Sequence, residues 1–359
     1  MDLPVVVSHR TAWLLHHASG FLERRCAQLK AMSTSHTHDP DAPLLSAQEL
    51  ALARKPLMPA QTASPSRATA LMPREIARYV RSVLEELGVD ANELEQPDVL
   101  APFSNDRVRS RPFSCHAHGA LITGNEVIPV APGILVVDEA LCFMQAATWM
   151  HELELIEYGY ELCGAYTVHP GGGYQEHAPM TSREELLDRI AQLPGTSGAK
   201  RARQALRMVR NGSRSPMETA TAMMISCDRR PGGLGCRAFA MNHRITVPDA
   251  LKTTTAIGYI EVDIYSERQK AGVEYDGHEH GEDERRAHDA DRLSVLGSLR
   301  VRVVTLTNVH FSSQLKLHRA LNAIARLFGL RQIESAEFQR AQNELRLFVT
   351  RHWRSERQG

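Results

Sequence analysis

IEVDIYSERQKAGVEYDGHEH, residues 260–280, alternates apolar and acidic side chains on either side of a polar tetrapeptide, Glu267-Arg268-Gln269-Lys270. A period of two is the signature of a β-strand, because successive side chains point to opposite faces. The stretch therefore predicts a β-hairpin. A turn centred between Arg268 and Gln269 sets Asp263 opposite Glu274 and Glu261 opposite Asp276. Ile260, Val262, Ile264, Val273 and Tyr275 then form a core face, and Glu261, Asp263, Glu274 and Asp276 share the other. Like charges directly opposite one another destabilise a sheet. A hard divalent cation, Mg²⁺ or Mn²⁺, would offset that cost, since such ions take oxygen ligands. The alternatives are a solvated acidic face, or a register slipped by one residue.

Two neighbours extend the acidic face. SPME, residues 215–218, reads as a helix start with Ser215 as N-cap, Pro216 in the first turn and Glu218 three residues on. Glu218 either completes a capping box or supplies a third metal-binding carboxylate. His278 and His280 follow the second strand at once, and imidazole serves as a general base near neutral pH. The plainer reading is a histidine-rich exposed loop. Asp289 and Arg292 stand three apart on the next predicted helix. They form either a surface pair or, through Arg292, a phosphate contact.

Asp263, Glu274-Tyr275-Asp276-Gly277, His280, Asp289 and Arg292, with the closing strand VRVVTLT, resemble the bacterial proteins grouped with very-short-patch-repair endonucleases. Those belong to the PD-(D/E)XK, restriction-endonuclease-like superfamily. SPME resembles the first helix of that fold. The resemblance covers about residues 213–310, and a weaker one touches residues 115–168, where Glu161–Tyr166 reads ELCGAY. It implies an α-β-β-β-α-β core, Asp263 and Glu274 as Mg²⁺ ligands, and phosphodiester hydrolysis. One departure stands out. The superfamily lysine is replaced by Asp276, and in the related repair enzymes histidine takes its role, which falls here to His280 or His278. The resemblance thus implies an endonuclease or nickase. The missing lysine admits a second outcome, an inactive DNA-binding regulator or antitoxin-like partner.

The formal net charge is zero, but the halves differ. Residues 195–359 carry 27 Lys+Arg against 18 Asp+Glu; subtracting these from the 42 of each sign leaves 15 against 24 in residues 1–194. A basic half suits a polyanion such as DNA, although the two halves attracting one another would explain the same numbers. A predicted helix at GAKRARQALRMVR gathers Lys200, Arg201, Arg203, Arg207 and Arg210, with Arg214 just beyond. These side chains, with Arg292, are the candidate DNA-backbone contacts.

The expected architecture is α/β (α+β). A smaller mixed α/β domain spans 1–194, with a Ser/Pro/Ala-rich insertion at about 33–73, and the restriction-endonuclease-like domain with C-terminal helices spans 195–359. A helix is expected over Thr11–Lys30, and Met144, Ala147, Trp149 and Leu153 are expected in the core. No apolar run reaches the ~20 residues of a membrane span, and the start lacks a signal-peptide pattern. Six scattered cysteines read as reduced thiols of a cytoplasmic protein. CHAH (115–118) has no second pair at zinc-finger spacing. PGGGY and PGGLG are glycine turns, and GTSGAK is too short for a P-loop, so no nucleotide cofactor is expected.

Overall fold

The computed structural model describes residues 5–34, 72–101, 112–119, 126–169, 172–252, 255–277 and 283–351. Two compact units emerge: residues 1–158 with 167–205, and residues 159–166 with 206–359. Most of the predicted basic helix falls in the first unit. No described helix is long and apolar enough to cross a membrane.

In the first unit, β1 (Val5–Val7), β2 (Asp98–Ala101), β3 (Ser114–Ala117), β4 (Val127–Ala131) and β5 (Ile134–Val137) form one sheet in the order β3-β2-β1-β5-β4. β1 and β5 run parallel at its centre, and β5 is buried at all four positions, as a strand covered on both faces must be. The expected helix over Thr11–Lys30 is two helices, α1 (His9–His16) and α2 (Ser19–Thr34). At the break the His17 ring bonds the Trp13 carbonyl at 2.6 Å, sharing the acceptor of its own backbone N–H. α3 (Met72–Glu86) follows, then α4 (Glu139–Ala146), which is buried throughout. Arg25 of α2 donates to both carboxylate oxygens of Glu139, at 2.7 and 3.0 Å, joining these helices through a buried ion pair.

α5 (Glu152–Leu162), the ribbon β6 (Tyr166–Val168) with β7 (Tyr174–Glu176), α6 (Arg183–Gln192) and α7 (Ala199–Leu206) complete the elements before residue 207. Ser182 and Glu185 close a full capping box on α6. Of the expected core residues, Met144 and Ala147 are buried, but Trp149 is 43% exposed, its edge meeting the Trp13 ring at 6.0 Å between centroids. Leu153 is half-buried.

The second unit opens with α8 (Pro216–Ser226), capped by Ser215 and buried from Thr219 to Ser226. A helix apolar on all sides belongs inside a core. The chain then doubles back along it, and Gly232 (φ +99°) turns where a Cβ would overlap the Ala341 backbone. β8 (Ala240–Thr246), β9 (Tyr259–Ser266) and β10 (Ala271–Asp276) form an antiparallel meander. α9 (Asp283–Ser298) then crosses over to β11 (Arg302–Thr307), which pairs parallel with β10. The sheet order is β11-β10-β9-β8. A parallel neighbour requires such a crossover, and a helix supplies it.

Ile260 and Val262 of β9 pack with Val295 and Leu296 of α9, Val247 and Val301 in one buried cluster. Three helices close the unit: α10 (Asn308–Ser312), α11 (Gln314–Leu327) and α12 (Ala336–Val349). Buried Arg346 donates to the Phe311 carbonyl at 2.8 Å, and His318 bonds Gln342 at 2.7 Å, so polar groups inside this bundle are satisfied.

Candidate functional site

The hairpin has the expected register. Ser266, Tyr265 and Ile264 pair with Ala271, Gly272 and Val273, and there the backbone ladder stops. The next position in that register sets Asp263 against Glu274. Instead of a backbone pair, the Asp263 carboxylate accepts the Tyr275 backbone N–H at 2.8 Å. Beyond that point Arg292 of α9 joins the two strands, donating to both carboxylate oxygens of Glu274 on β10 and to the Glu261 backbone carbonyl on β9 at 3.0 Å. Side chains hold the strands together where main chain does not.

Glu218 enters from the first turn of α8. Its backbone N–H donates to Ser215 Oγ at 3.2 Å, the first half of a capping box. The second half is altered, because the Glu218 carboxylate accepts the N–H of Arg214 (3.0 Å) and the side-chain amide of Asn242 (2.6 Å). Asn242 lies in β8 with φ +46°. Asn is among the few residue types that enter this region readily. The same amide also donates to the Gly212 carbonyl at 2.8 Å.

Charge is concentrated here. Burial first, then the Glu218 and Glu274 carboxylates, push the Asp263 pKa from 3.8 up to about 6, against the Tyr275 hydrogen bond and the Arg292 charge. Glu261 differs. The guanidinium of Arg214 grips both its oxygens, Arg244 adds a bond at 2.9 Å, and its carboxyl is held below the usual range. Arg244 also lies over the Tyr259 ring, 4.7 Å from its centroid. Asp276, at the end of β10, is exposed. The Tyr275 hydroxyl bonds Asn308, and its ring meets Phe311 edge-on at 5.9 Å.

Carboxylate oxygens crowded until one of them resists ionisation are the donor chemistry a hard divalent cation prefers. Asp263 offers such an oxygen, and Glu218 does so beside the Arg214 N–H and the Asn242 amide that its carboxylate already accepts. Glu274 fits only if Arg292 releases it. Among the described residues, no three His, Cys, Asp or Glu side chains stand as a ready cage.

The remaining sequence candidates are dispersed. His278 and His280 lie outside the described residues, as does nearly all of the Ser/Pro/Ala-rich stretch at about 33–73. Lys200, Arg203 and Arg207 are exposed. Arg201 is exposed as well, and its guanidinium also donates to the carbonyls of Ala147 and Met150, just past the end of α4, a C-terminal capping contact. Arg292 engages Glu274 as an ion partner. Asn242, Arg244 and Asn308 were not legible as site residues. Asn242 sits in a strand-like run with no turn signal, and its role depends on a helix 24 residues away.

No protein-family model matches the chain, no curated protein matches it, and no solved structure matches it.

Proposed function

We propose that the second unit is a metal-dependent DNA endonuclease or nickase of the restriction-endonuclease-like type, acting in the cytoplasm. The observation that carries this reading is the Asp263 carboxylate at the point where β9 and β10 part, near enough to Glu218 and Glu274 for their charges to raise its pKa. The helix-meander-helix-strand order and the parallel β11 agree with that fold. Asp263 and Glu218 would hold Mg²⁺ or Mn²⁺, joined by Glu274. When bound, the cation would polarise a phosphate and lower the pKa of a coordinated water. Arg214 and Arg244, on the same edge of the site, would steady phosphate charge. Proton transfer would fall to His280 or His278, since Asp276 cannot act as the superfamily lysine does.

The grip of Arg292 on Glu274 favours a second reading. A guanidinium already compensates that carboxylate, as it would in a protein that keeps the fold to bind DNA without cutting it. Nicking of supercoiled plasmid by the full chain in Mg²⁺ or Mn²⁺ separates the two. Endonuclease activity predicts metal-dependent nicking that Asp263→Ala and Glu274→Ala each abolish and His280→Ala reduces. A general base typically contributes ~10²–10⁴-fold, so the histidine variant retains a trace. Wild-type protein that binds but does not cut DNA supports the binding protein. Cutting that survives Asp263→Ala places the chemistry elsewhere.

A further inference from the structure

The first unit carries an open surface pocket of about 400 Å³, lined chiefly by Arg74, Arg78, Arg81, Glu95 and Gln96. The three arginines recur at i, i+4 and i+7 along α3, which puts them on one face of the helix. At 1.5 Å rise per residue they span roughly 10 Å. Three arginines and one glutamate line it, so the pocket is cationic.

Arg81 is fixed at its far end, where it donates to the Glu95 backbone carbonyl. Its Nε–H is buried and has no partner among the described residues. Arg74 and Arg78 are exposed. What separates this helix face from a merely solvated basic one is the pocket of ligand size that its three arginines line together.

We infer that this pocket binds a phosphate-bearing ligand. Guanidinium forks match phosphate oxygens in geometry and charge, and several in a row suit two or more linked phosphates. The lining arginines recognise phosphate. The phosphates belong either to a small polyphosphorylated molecule or to a nucleic-acid backbone. The inference does not depend on the sheet carboxylates or on any nuclease activity.

Titration of the full chain with inorganic tripolyphosphate by calorimetry tests it. Saturable one-to-one binding is expected, weakened at least about ten-fold in Arg74→Glu/Arg78→Glu, as loss of charge-assisted hydrogen bonds implies. Arg319→Glu/Arg331→Glu, an equal charge change at two exposed arginines of the second unit, should leave binding intact. Both pairs are exposed, so unchanged far-ultraviolet dichroism and melting are expected. Absence of binding, or equal weakening in both double variants, overturns the inference. A single-stranded oligonucleotide that displaces tripolyphosphate identifies the backbone as source, and failure to displace it identifies a small phosphorylated ligand.

Discussion

The Asp263 carboxylate accepts the backbone N–H of Tyr275 at 2.8 Å, one residue past the last backbone pair of the hairpin, Ile264–Val273. A side chain therefore takes the place of a ladder carbonyl. It keeps the Tyr275 amide satisfied while the strands part, and the gap it spans receives Arg292. The cost falls on Asp263, whose charge is partly buried beside two other carboxylates.

Asp263→Asn should stabilise the protein at pH 8. The folded-state pKa is raised to about 6 from 3.8, so the native state binds this proton more tightly than the unfolded chain. Stability contributed by the protonated form is present below pH 4 and is lost as pH rises through 6. Asparagine can still accept the Tyr275 N–H but carries no charge. Urea denaturation should show a gain of about 1–3 kcal/mol at pH 8 and little difference at pH 4. An equal gain at both values would assign the effect to packing.

Any divalent-cation effect on the second unit should strengthen with pH over the same interval, because the cation competes with the Asp263 proton. The Mn²⁺-induced rise in melting temperature of the wild-type chain, compared at pH 5 and 7.5, reads this directly. The rise should be larger at pH 7.5 and absent in Asp263→Asn. A rise independent of pH would mean that the cation binds elsewhere.

Arg292→Met leaves Glu274 charged and largely shielded, since the Glu274 side chain is only 18% exposed. Breaking such a pair from one side should cost about 2–4 kcal/mol. Mn²⁺ should restore part of that loss, because Glu274 is then free to ligate. A variant whose melting temperature ignores Mn²⁺ argues for the non-catalytic reading.

In the first unit, Arg25→Met should destabilise by about 3–5 kcal/mol, because it strands the Glu139 carboxylate. Burial alone would raise the Glu139 pKa, but the adjoining Arg25 guanidinium brings it below the usual value. Arg25→Met/Glu139→Leu should recover most of the loss in a denaturation series. If it recovers none, the pair is not the source.

DNA affinity, measured by fluorescence anisotropy across a salt series, should fall in Lys200→Glu/Arg203→Glu/Arg207→Glu with a shallower salt slope. Arg201→Glu should instead lower the melting temperature, because its guanidinium caps the carbonyls of Ala147 and Met150. Equal behaviour of Arg201 and its neighbours would show that this contact is not structural.

The hairpin register was legible because it depends on near neighbours: a period of two, a polar four-residue turn, and a buried face that penalises a one-residue slip. The Ser215 cap was legible for the same local reason. Sequence likewise marked Asp263, Glu274 and Glu218 as acids that could meet. Tertiary structure alone decided that the ladder stops at Ile264, that Arg292 grips Glu274 from 18 residues away, and that Glu218 turns to Asn242 and Arg214. It also split α1 from α2 and left Trp149 exposed. Periodicity reports which way a side chain points from its own element. Which group it meets depends on how separate elements pack, and that is set by long-range burial and by the need of each buried charge for a partner.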